Sequence, residues 1–201
     1  MPAPALRFLP LTPARWRDVA ALFGPRGACA DCWCMWWRRP RAAWRRGKGA
    51  GNRRAFRRLV ASGRVPGVLA YAGREPVGWC AVAPREEYPA LARSRILRPV
   101  DARPVWSITC LFVARPWRRR GVSARLLQAA ARLARRRGAR IVEGYPTEAG
   151  SRPAPDVFVF TGLASSFERA GFLEVARRSP SRPIMRRQVR GAVDSGMVRA
   201  R

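Results

Sequence analysis

Val113-Ala-Arg-Pro-Trp-Arg118-Arg-Arg-Gly121-Val-Ser123 runs without a break into Ala124-Arg-Leu-Leu-Gln-Ala-Ala-Ala-Arg-Leu-Ala134. The apolar run from Val105 to Val113 that precedes it predicts a strand. The leucines and alanines that follow recur at helical spacing and predict a helix over 122–137, closed by Gly138. A strand, a short basic loop with one glycine and a helix place free backbone N–H groups and a positive helix end at one point, where a phosphate can be held. The loop reads Arg-x-x-Gly-x-Ser. It lacks both the Gly-x-x-x-x-Gly-Lys of a nucleoside-triphosphate loop and the Gly-x-Gly-x-x-Gly of a dinucleotide fold.

Working outward, Leu6–Leu11 predicts a first strand. A helix follows, with Thr12 as its cap, Pro13 at its first position, Trp16, Val19, Ala20 and Phe23 on one face, and Gly24 as its stop. Cys29 to Arg46 is irregular and rich in Trp and Arg. Asn52 is the expected cap of a second helix, with Phe56, Leu59 and Val60 on its apolar face and Gly63 at its end. Val68–Tyr71 and Val77–Val82, joined by Ala72-Gly73-Arg74-Glu75-Pro76, predict a hairpin. Residues 84–104 form a polar excursion with one helical turn near Ala90–Arg95. Beyond the quoted stretch come a strand at Ile141–Tyr145, a loop at 147–155, a short helix at Leu163–Ala170 ended by Gly171, and two closing strands, Phe172–Arg178 and Pro183–Val189.

The chain has 201 residues, 48% of them hydrophobic. That suits one packed domain, expected over residues 1–190, with 191–201 as a flexible basic tail. No apolar run predicts a membrane span or a secretory leader, so a cytoplasmic location is expected. The net charge is +29, and of 41 basic residues only Lys48 is lysine. Affinity for phosphate alone has no reason to exclude lysine, so a GC-rich genome accounts for the skew more simply than a dedicated nucleic-acid partner does. With no histidine in the chain, an imidazole base, a histidine metal ligand and a Ser-His triad are all excluded. Five cysteines, an odd number, do not suggest a disulfide framework.

The loop at 118–123 resembles the pyrophosphate loop of the GNAT acetyltransferases, Gln/Arg-x-x-Gly-x-Gly/Ala, with Ser123 at the last, small position. Ser166-Phe167-Glu168-Arg169-Ala170-Gly171-Phe172 is similar to the Leu-Tyr-Glu-Lys-Leu-Gly-Phe ending of that family, and the element order matches over roughly residues 5–190. The resemblance implies a single α/β domain, with a mixed and mostly antiparallel central sheet, helices on both faces, and fourth and fifth strands that splay into a slot. It implies acetyl-CoA as donor. Leu111, Phe112 and Val113 would pair with the pantetheine arm, and Arg118, Arg119, Arg120, Gly121, Val122 and Ser123 would hold the pyrophosphate, with Phe167 beside the cofactor.

Two positions depart from the family pattern. Phe167 stands where many relatives have a proton-donating tyrosine, and Phe160 where they have an asparagine. Glu143 and Tyr145, two apart on a strand beside the slot, are the substitute base and acid; pairing of Glu143 with an arginine is the competing role. Ser107, Thr109 and Cys110 lie on the central strand without a carboxylate base, and Cys110 reads as core packing rather than a nucleophile.

Cys29-Ala-Asp-Cys32-Trp-Cys34-Met-Trp-Trp37-Arg38 is similar to the segment of one Cys/Trp-rich branch of the family. Three thiolates with a fourth ligand would hold zinc, but buried free thiols in a tryptophan cluster are the expectation, with no bound metal. Trp33, Trp36 and Trp37 would floor an acceptor pocket suited to an apolar or cationic amine. The expected activity is acetyl transfer to a primary amine of a small molecule or peptide by direct attack, in a protein that is a possible homodimer. The alternative is a non-catalytic acyl-CoA-binding or basic nucleic-acid-binding protein on the same fold.

Overall fold

The computed structural model describes residues 5–148 and 159–189. The 191–201 tail lies outside them, as does most of the 147–155 loop. The elements are β1 (Leu6–Pro10), α1 (Trp16–Phe23), α2 (Arg41–Arg46), α3 (Ala50–Ala61), β2 (Gly67–Ala72), β3 (Glu75–Pro84), the single turn α4 (Pro89–Ala92), β4 (Trp106–Val113), α5 (Val122–Arg136), β5 (Ile141–Gly144), α6 (Ala164–Arg169), β6 (Leu173–Arg177) and β7 (Pro183–Gln188). The strands form one seven-stranded sheet in the order β1-β2-β3-β4-β5-β7-β6. Only β4 and β5 pair in parallel.

Strand alternation divides the core between the two faces of this sheet. Val68, Ala70 and Ala72 of β2, with Cys80 and Val82 of β3, meet Val122, Leu126, Leu127, Ala130 and Leu133 of α5. Leu69 and Tyr71, with Trp79 and Ala81, meet Val19 and Phe23 of α1 and Phe56 and Val60 of α3. The apolar stripe of α5 is buried, while Arg125, Arg132 and Arg136 face outward. No helix among the described residues is long and apolar enough to cross a membrane.

Three local expectations are corrected. Asn52 is no cap: it lies inside α3, fully buried, and its side-chain amide donates to the carbonyls of Asp31 (3.3 Å) and Trp44 (3.2 Å). A buried amide tying α2 to the turn at Asp31 is worth more there than at a helix end, where Gly49 with φ +71° makes the turn instead. The irregular Cys29–Arg46 stretch contains α2. The helical turn expected near 90–95 lies at Pro89–Ala92, because Pro89 sets its first position.

Candidate functional site

The loop between β4 and α5 is built around two left-handed residues, Arg119 (φ +59°) and Gly121 (φ +73°), the latter directly before α5. Arg118 Nε donates to Val113 O (3.0 Å) and ties the loop to the end of β4. No side chain caps α5, and its first turn carries no acidic residue. Among the described residues, none of the backbone N–H groups of 119–124 donates to a backbone carbonyl; the helical ladder begins at Arg125 N–H to Gly121 O. A Cβ on Gly121 would meet nothing within 4 Å. Six consecutive donors without a backbone acceptor among the described residues therefore lie at the positive end of a fifteen-residue helix, with exposed Arg119 and Arg120 beside them. This is the arrangement that holds phosphate oxygens.

The slot beside this loop follows from the strand pairing. β4 and β5 pair only at Trp106–Val142, Ser107–Glu143 and Ile108–Gly144, then part. A bulge in β4 leaves Thr109 between Ile108, paired with Val82, and Cys110, paired with Ala81. Segment 159–163 spans the opening. Leu111 N–H donates to Phe160 O (2.7 Å), Thr147 N–H donates to Gly162 O (2.8 Å), and Thr147 bridges to Leu163 in parallel. Phe167 is fully buried and stacks edge-on against Phe172 (5.1 Å). Its ring lies where side chains on Gly144 and Gly162 would collide with it. Phe167 thus packs the base of the slot and offers no proton.

Glu143 and Tyr145 are brought together and fully enclosed. Glu143 Oε1 accepts from Arg85 Nη1 (3.0 Å) and from the Tyr145 hydroxyl (2.6 Å), and Oε2 accepts from Arg186 Nε (2.7 Å). Arg186 also reaches Asp101 (2.7 Å), and Arg85 donates to Tyr145 Oη and to Leu97 O. Tyr145 shares a further hydrogen bond with Ser107 of β4 (2.8 Å). Burial, then the charge of Glu143, raises the Tyr145 phenol well above its ordinary range. Two carboxylates, Glu143 and Asp101, are shared among three guanidinium groups, Arg85, Arg186 and the more exposed Arg103, and both oxygens of Glu143 are engaged.

On the same face, Arg38 pairs with Glu87 (2.6 Å), donates to Tyr88 Oη (3.1 Å) and lies over the Tyr88 ring. Cys34 Sγ accepts from Trp79 Nε1 (3.3 Å). A hydrogen bond from Cys110, with the Trp79 indole and the charge of Arg38, lowers the Cys34 thiol. Cys110, its partner, is raised. All five cysteines are free, and among the described residues no three Cys, Asp or Glu side chains converge as a metal site requires.

The three tryptophans of the expected acceptor floor separate. Trp33 is buried in the α1–α3 core, stacked on Trp16 (6.2 Å), because the left-handed turn at 33–34 points it inward. Trp36 and Trp37 line a groove of about 350 Å³ with Arg39, Arg41 and Arg93. Sequence reasoning missed these arginines, which nothing local distinguishes from the many others, and missed the partners of Glu143.

A model of the acetyltransferase (GNAT) family matches residues 31–158. Among solved structures, the chain is similar to an acetyltransferase of the GNAT family from Listeria monocytogenes (TM-score 0.55, 8% identity), covering 91% of this chain and 94% of that one. It is similar to a GNAT family acetyltransferase from Streptococcus agalactiae (0.54, 12%; 92% and 95%). It also resembles one from Streptococcus pneumoniae (0.51, 13%; 92% and 99%). At such identities these likenesses speak for the fold alone. No curated protein matches the sequence.

Proposed function

The chain belongs to the acetyltransferase (GNAT) family and is an acyltransferase; from that premise we propose that it moves acetyl from acetyl-CoA to a primary amine by direct attack. The observation that carries the donor half is the run of N–H groups at 119–124, at the start of α5, with no backbone acceptor among the described residues and no acid in the first helical turn. The pyrophosphate rests on these amides, with Arg118, Arg119 and Arg120 around it and the small Val122 and Ser123 opening the helix. The pantetheine arm runs along Leu111, Phe112 and Val113, taking the place that Phe160 O now holds on the Leu111 amide.

In the reaction the neutral amine attacks the thioester carbonyl, an N–C bond forms, the C–S bond breaks, and the CoA thiolate leaves. The proton lost from nitrogen passes to water. Neither phenylalanine in the slot can protonate the leaving sulfur, and a thiol near pKa 8.5 departs as thiolate without help. Glu143 and Tyr145 act as positioning residues that lock β5 to β4 at the mouth of the slot, since both are spent on each other and on arginines. Rate then comes chiefly from holding amine and thioester in register. Five free thiols accord with a reducing compartment, the cytoplasm expected from the sequence.

Calorimetric titration with acetyl-CoA tests the reading. The intact protein binds it, and Gly121→Val, which puts a branched side chain into the cradle at a left-handed position (φ +73°), weakens binding by about tenfold or more and also lowers the melting temperature through backbone strain, whereas Arg119→Gln/Arg120→Gln, on two exposed side chains, weakens binding while leaving the melting temperature within a few degrees. Absence of binding to the intact protein, or unchanged affinity in either variant, overturns it. Amine-dependent thiol release separates a working transferase from a binding fold without catalysis.

A further inference from the structure

The groove at Trp36 and Trp37 gathers three arginines against two indole rings. Nearby, Arg38 pairs with Glu87, Arg85 with Glu143, and Arg186 with Glu143 and Asp101, while Arg182 donates to Tyr145 O and Thr161 Oγ1. At the groove, Arg39, Arg41 and Arg93 have no carboxylate partner among the described residues. Two of them are nevertheless held in place. Arg39 Nη1 donates to the buried Asn52 Oδ1 (2.8 Å), and the Arg41 guanidinium lies over the Trp36 ring (4.9 Å). The indole N–H of Trp37 is buried with no acceptor. The Trp37 carbonyl accepts from Ala90 N–H (3.2 Å) and ties the two walls together.

Its location connects the groove to the reaction. Trp37 packs on the cluster of Tyr88, Leu91, Tyr145 and Ile184, and Tyr145 hydrogen-bonds Ser107 of β4. The groove and β4 therefore border the same apolar cluster, the groove through Trp37 and the strand through the Ser107–Tyr145 hydrogen bond.

We propose that this groove binds the anionic end of the acceptor: a small amine that carries a carboxylate beside a flat apolar body, as an aromatic amino acid does. A carboxylate takes paired N–H donors from planar guanidinium forks, and none of these three arginines has a carboxylate among the described residues to give up first. Trp36 and Trp37 supply flat walls for the apolar body. A volume of about 350 Å³ sits at the small end of ligand pockets, which run about 300–1,000 Å³, and suits one small molecule rather than a nucleic-acid strand. The same charges disfavour the cationic amine that the tryptophans alone suggested. The word "acceptor" rests on the acetyltransferase reading; the binding preference does not.

Calorimetry on the full chain with indole-3-acetate, its neutral analogue indole-3-acetamide and the cationic tryptamine tests the proposal. Indole-3-acetate is expected to bind about tenfold or more tightly than the amide, and tryptamine most weakly. The double variant Arg41→Gln/Arg93→Gln is expected to erase the preference and to leave acetyl-CoA affinity unchanged. Equal affinities, a preference for tryptamine, no binding of any of the three, or a preference that survives the double variant overturns it. Failure to bind acetyl-CoA with the carboxylate preference intact would strike the transferase reading and leave the groove standing.

Discussion

Glu143 separates two roles that a carboxylate beside a slot can take. A base acting on an ammonium needs a free oxygen, yet both oxygens of Glu143 are tied to Arg85, Arg186 and Tyr145 within 3.0 Å. Removing the charge leaves two guanidinium groups facing each other in an enclosed space. Glu143→Gln is therefore expected to cost about 2–4 kcal/mol of stability, read from urea unfolding, because breaking a buried pair strands its partners. Tyr145→Phe is expected to keep the shape of the pH–rate profile and to change kcat by no more than several-fold. A loss of about a hundredfold or more, with disappearance of an alkaline limb, would mark Tyr145 as the acid after all. None of this pairing was legible along the chain, since Arg85, Arg186 and Asp101 reach the network across separations of 58, 43 and 85 residues. The acid and base candidates were found because strand alternation puts them on one face, but their partners are a matter of topology.

Elements whose physics is local were readable, and those held by tertiary contact were not. α5 and the β2–β3 hairpin follow from period and turn residues, and the 118–123 loop from a glycine before an amphipathic helix. The 28–34 stretch is different: Ala28, Ala30, Asp31, Trp33 and Cys34 all have positive φ, a conformation that their side chains do not favour. It is held by Asn52 on the Asp31 carbonyl, by Trp33 in the core and by Trp79 on Cys34, none of which composition announces. α2, with Trp44 as its only buried residue, has too short an apolar pattern to detect. The slot carries its own element-scale consequence. Since Phe160 O holds the Leu111 amide, a pantetheine arm along β4 has to displace segment 159–163. Hydrogen exchange with saturating acetyl-CoA is expected to slow at 119–124 and to quicken at Gly162 and Thr147, whose amides depend on that segment. Slowing at both places would mean that the arm binds without moving it.

At the scale of the whole molecule the dominant quantity is the net charge of +29. Much of the excess lies on the surface, on exposed residues such as Arg119, Arg120, Arg125 and Arg132 around the phosphate loop and the outer face of α5. Such a field raises the local concentration of any anion and is screened by salt over about 10 Å at 0.1 M. The polyanionic nucleotide end of acetyl-CoA feels both this field and the fixed amides of 119–124, which salt weakens far less. Raising sodium chloride from about 50 to about 500 mM is expected to weaken acetyl-CoA binding by about tenfold. The truncated thioester S-acetyl-N-acetylcysteamine, which lacks the nucleotide, is expected to show a salt-independent KM. Duplex DNA, if it binds at all, is expected to do so without sequence preference and to be lost over the same range. Acetyl-CoA affinity that does not respond to salt would place all the donor recognition in the loop and leave the surface charge without a part in it. DNA binding that persists at the higher salt would instead give the arginine-rich surface a partner of its own.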